Sequence, residues 1–152
     1  MQAVRSLRSP DRPDGRPLLQ ALGCLIVDRE ALRRLAMAWS IAQDSEDNSP
    51  TYAENEWAVD FFYELPFVNP EAAWEAIQLV IEARPNDEVI LMTGVGPLES
   101  LLGQDGESFI ERVEDQARHS PVFRQMMRHV WLPEDSPICE RFQQAADAGL
   151  IN

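Results

Sequence analysis

From Asp28 onward the apolar residues recur at intervals of three and four, and each interval predicts a helix. Leu32, Leu35, Trp39 and Ala42 share a face, which places the first helix over about 29–43. Trp57, Phe61, Phe62 and Leu65 form the stripe of a second, running from Pro50 to near Pro66. Trp74, Ile77, Leu79, Val80 and Ile81 carry a third from Pro70 to Ala83, where Pro85 stops it. Asp87 is expected to cap a short apolar helix over 88–93, and 98–102 reads as another, ended by Gly103. Phe109, Ile110, Val113 and Ala117 repeat after Gly106, and Phe123, Met126, Met127 and Val130 repeat after Ser120-Pro121. The last helix is expected to run from Pro137 past Phe142 and Ala146, with Gly149 as the residue beyond its end.

A start signature supports these intervals. A capping side chain followed by proline occurs at Ser49-Pro50, Asn69-Pro70, Ser120-Pro121 and Ser136-Pro137, with Gly96-Pro97 as a weaker version. The capping oxygen accepts from a free first-turn N–H, and proline at the first helical position loses no bond. The run VILMTGV at 89–95 is the one segment where a strand could hide, but no alternating segment exists to pair with it. The prediction is therefore all-α: a compact array of about seven to eight short helices, stacked as antiparallel pairs by short connections.

Charge divides the chain. All thirteen bases are arginine; seven of them stand in residues 1–34 beside four acids, whereas 35–152 carry six against 22. Residues 1–26 read as a basic, disordered leader and 27–152 as a single all-helical domain. Within the leader, the stretch SLRSPDRPDGRP precedes the apolar run LLQALGCLIV at 18–27, where packing is expected to begin. That run is a poor match to a secretion signal and too short to span a membrane, so the protein is expected in the cytoplasm. A net charge of −13 opposes nucleic acid and anionic membranes as partners.

Few residues suggest chemistry. Glu111, Asp115 and His119 can share one helical face, but no third strong ligand completes a metal motif, and His129 reads as a packed or half-exposed residue. Cys24 and Cys139 make no disulfide framework, there is no GxSxG, and Gly94, Gly96, Gly103 and Gly106 fit no phosphate-cradling loop. No catalytic residue, metal ligand or cofactor is therefore assigned. Trp39, Trp57, Trp74 and Trp131 are expected in the core. Gly96 reads as an N-cap and Pro97 as the first helical residue, with Glu99 reaching back to the Gly96 N–H, a structural role. Glu56, Asp60 and Glu64, at i, i+4 and i+8, make an acidic face suited to a basic partner.

The string Gly96-Pro97-Leu98-Glu99-Ser100-Leu101-Leu102, then Gly106, Phe109-Ile110, Pro121-x-Phe123 and Val130-Trp131, resembles a family of small bacterial proteins of unknown function. The likeness covers roughly residues 30–142; Ser100 stands where the family usually has an acid, and Thr93-Gly94-Val95 replaces an Ala-rich lead-in. The resemblance implies an all-α fold and supplies no mechanism. By analogy with other small acidic bacterial proteins, the expected role is a protein-binding module of the immunity or inhibitor type. The alternative is an enzyme using acids near Glu99 and His119 with a metal.

Overall fold

A computed structural model describes residues 28–151; the basic leader and the apolar run 18–27 lie outside the described residues. The fold is all-helical, with no strand among the described residues. Among the described residues, counting contiguous stretches once gives six helices. They are α1 (Arg29–Gln43), α2 (Pro50–Val68), α3 (Pro70–Glu82), α4 (87–119), α5 (Pro121–Met127) and α6 (Cys139–Ile151).

Three of the four Ser/Asn-Pro signatures start helices. The side chain of Ser49 accepts from Tyr52 N–H at 3.0 Å, Asn69 from Ala72 N–H at 3.1 Å and Ser120 from Phe123 N–H at 3.0 Å, each ahead of a proline at the helix start. Ser136-Pro137 does not start a helix. Residues Pro137 and Ile138 form a turn, and α6 begins at Cys139 and runs through Gly149 to Ile151. Asn86 rather than Asp87 caps α4, accepting from Val89 N–H at 2.9 Å. Helix α2 carries Pro66 within its last turn and ends at Val68. Past the end of α3, Arg84 takes the left-handed conformation (φ 56°) that glycine favours at such a position.

The largest departure is α4. Its first arm (Asp87–Thr93), a π-helical turn (Gly94–Leu98) and a long arm (Glu99–His119) follow without a break. Gly96 is therefore not an N-cap, because the helix is already running. The Glu99 N–H reaches back five residues to the Gly94 carbonyl, and that wider turn holds Pro97 inside the helix. An α-turn would press the proline ring on the carbonyl four residues earlier; widening relieves it. Gly103 does not end the helix either. The change of direction comes at Asp105 (φ −140°, ψ 36°), whose carboxylate accepts from Ser108 Oγ at 2.8 Å.

The core runs continuously through all six helices. Helix α1 packs chiefly on α2 and α3, and α4 on α2, α5 and α6. Trp39 is fully buried, edge-on to Phe62 and Tyr63 at 5.1 and 5.6 Å between ring centres. Its indole N–H donates to Thr93 Oγ1 at 2.9 Å, and Thr93 donates to Val89 O at 2.7 Å. Trp57 and Trp74 are half-buried against this core. Trp131 is not part of it: it is 69% exposed, on irregular chain after α5, so the expectation of four core tryptophans fails at that position.

Candidate functional site

Helix α2 carries Glu54, Glu56, Asp60 and Glu64 and no base. Glu56 is half-buried, and Asp60 and Glu64 are exposed. The arginines pair elsewhere: Arg29 with Glu75 and Glu82, Arg112 with Glu71, Arg118 with Asp115, Arg141 with Glu114. Among the described residues no ion pair reaches Glu56, Asp60 or Glu64. Two phenols share this region. Burial raises the Tyr52 hydroxyl above its ordinary pKa, and the charges of Glu56, Asp47 and Asp60 add to the shift. Burial alone raises Tyr63, and partial desolvation raises the Asp60 carboxyl.

The π-helical turn adjoins this face through Tyr63. A Cβ on Gly96 would lie 2.9 Å from Tyr63 Cε1, and one on Gly94 2.5 Å from the Met126 carbonyl oxygen and 3.1 Å from His129 Cβ. Glycine lets the wide turn sit against both neighbours. Gly94, Gly96, Pro97 and Leu98 face inward and Val95 faces solvent. Glu99 does not cap its own helix. Its carboxylate accepts from Trp131 N–H at 2.7 Å, and Leu132 is buried, so Trp131 projects from a chain segment held at two adjacent points. Neither the Trp131 exposure nor this bond was legible from spacing, because partner and acceptor stand 32 residues apart.

Glu99 and His119 do not meet. They occupy the two ends of the long arm of α4, twenty positions apart on either side of the bend at Asp105. Glu111, Asp115 and His119 do share a face, lining a groove of about 530 Å³ with Trp74, Gln78 and Gln116. Their donors are not gathered: His119 Nδ1 donates to the Asp115 carbonyl at 2.8 Å and Asp115 pairs with Arg118 at 3.3 Å. Among the described residues no group of three His, Cys, Asp or Glu side chains is placed to hold a metal ion. Cys139 is a half-buried free thiol.

The family model for the family of unknown function DUF6869 matches residues 45–149. The chain belongs to that family. The DUF6869 span opens in the turn before α2 and takes in the acidic face, the π-helical turn and Trp131; α1 precedes it, although its residues share the same core. No curated protein and no solved structure matches the chain. Among the described residues no helix is long and apolar enough to cross a membrane.

Proposed function

We propose that this DUF6869 protein is a cytoplasmic protein-binding module of the immunity or inhibitor type, docking a basic protein on the acidic face of α2. The observation that carries this reading is the distribution of ion pairs. Five arginines pair with acids of α1, α3 and α4, while Glu56, Asp60 and Glu64 repel one another along one helix and, among the described residues, have no ion pair. A basic partner relieves that repulsion on docking and is steered to the face by it. Trp131, exposed and held by Glu99, supplies an aromatic side chain of the kind that anchors interfaces.

The test is a pull-down from the native host with the wild-type chain and with Glu56→Arg, Asp60→Arg and Glu64→Arg combined, at low and high salt. Recovery of a basic protein by the wild type at low salt, lost in the triple variant and weakened by salt, is the expected outcome. Equal recovery by both chains refutes the assignment of the face.

A further inference from the structure

Between α1 and α3 runs a groove of about 400 Å³ with Ala36, Met37, Ile41, Leu79 and Ala83 on its walls. Met37 is 60% and Ile41 39% exposed, so a core-facing kind of surface is open to water. Helix α1 begins beside this groove. Arg29, its first residue, pairs with Glu75 and with Glu82 of α3, and Glu82 also lines the groove. The start of α1 therefore lies at the groove's own rim. In sequence, Asp28 before it is preceded by the run LLQALGCLIV at 18–27, eight of whose ten residues are apolar and none charged.

We propose that residues 18–27 of this same chain seat in the α1/α3 groove and cover Met37 and Ile41. The reach suffices in either backbone form. Ten residues span about 15 Å as a helix and over 30 Å extended, and the groove, from Arg33 to Ile41 along α1, is about 12 Å long. Covering removes apolar surface from water on both partners, and the tether makes the association intramolecular. A second copy of the chain is the competing occupant. Because the seat lies on α1 and α3 and its test reads no partner, it stands apart from the docking role of α2.

Cys24, within the run, makes the test direct. The full chain is prepared with Cys139→Ser and, separately, Met37→Cys or Glu107→Cys, the last lining a different groove on α4. A disulfide needs the two Cα atoms within about 7 Å. On mild oxidation Met37→Cys should give an intramolecular disulfide to Cys24 roughly ten times faster than Glu107→Cys. In the otherwise wild-type full chain, Leu25→Arg should lower the melting midpoint by about 5 °C or more, the size expected when a buried side chain is lost from a domain of this length. No preference for Met37→Cys, disulfides formed between two chains, or an unchanged midpoint in Leu25→Arg would each overturn the proposal.

Discussion

The carboxylate of Glu99 and the backbone N–H of Trp131 meet at 2.7 Å, tying the start of the long arm of α4 to the chain that leaves α5. Glutamine keeps an oxygen that can accept this bond; alanine does not. Glu99→Gln should therefore be mild, and Glu99→Ala should cost about 1–2 kcal/mol in urea unfolding, at the lower end of what a bond to a charged group contributes. The Ala variant should also make Trp131 fluorescence less anisotropic. Equal stability of both variants would show that the bond contributes nothing.

The glycines of α4 separate into opposite classes. Gly103 has nothing within 4 Å of an added Cβ, so Gly103→Ala should stabilise by about 0.5–1 kcal/mol through helix propensity. Gly94→Ala meets the Met126 carbonyl at 2.5 Å and should cost about 2 kcal/mol or more, because backbone must move. Gly96→Ala should fall between, since the Tyr63 ring can shift. Chemical denaturation of the three variants decides the order.

Thr93 is the buried polar partner of Trp39. Thr93→Val keeps the volume and strands the indole N–H in the core, which should cost about 1–3 kcal/mol. Thr93→Ser keeps the hydroxyl and loses a methyl, a smaller loss of about 1 kcal/mol. A Val variant as stable as the Ser variant would mean that the indole finds another acceptor.

Carboxylates of opposite shift should give opposite pH responses. The hydrogen bond to Arg112, aided by its charge, lowers Glu71, and the bond to Arg141 lowers Glu114. Their contribution is present above the ordinary glutamate pKa, about 4.3, and is lost as pH falls through the lower folded values. Asp60 is raised, so its contribution is complete below the ordinary aspartate pKa, about 3.9, and is lost as pH rises through the folded value. Glu71→Gln should thus destabilise at pH 7 and be neutral near pH 3, and Asp60→Asn should stabilise at pH 7 only. Glu71 and Asp60 are exposed and Glu114 is half-buried, so solvent keeps the effects of the first two small. Melting curves at the two pH values, with the signs reversed, would contradict this assignment.

Local chemistry made most helices legible. Ser49, Asn69 and Ser120 act through bonds to residues three positions on, and such bonds are written in the sequence itself. What escaped was set by distant neighbours. Gly96-Pro97 has the form of a helix start, yet Thr93 is held from the other side by Trp39, 54 residues earlier, and the helix passes straight through. Trp131 follows the apolar spacing of Phe123, Met126 and Val130, but α5 ends at Met127, and the periodicity no longer decides its direction. The acidic face was visible because i, i+4, i+8 is purely local; that its acids stand without ion pairs among the described residues depended on where the arginines of other helices fold.

A π-helical turn is an α-helix into which one residue has been inserted, and within α4 that surplus acts as a phase adjuster between two apolar stripes. Val89, Ile90 and Thr93 point into the core before the turn, and Leu98, Leu101 and Leu102 after it. Plain α-geometry over the same residues, without the wide turn, would turn everything downstream by about 100° relative to the first arm. Glu99 would then swing away from Trp131 and the leucines away from the core. In the length of this helix, one wide turn takes up a surplus residue and keeps the twenty-odd residues that follow it facing the core.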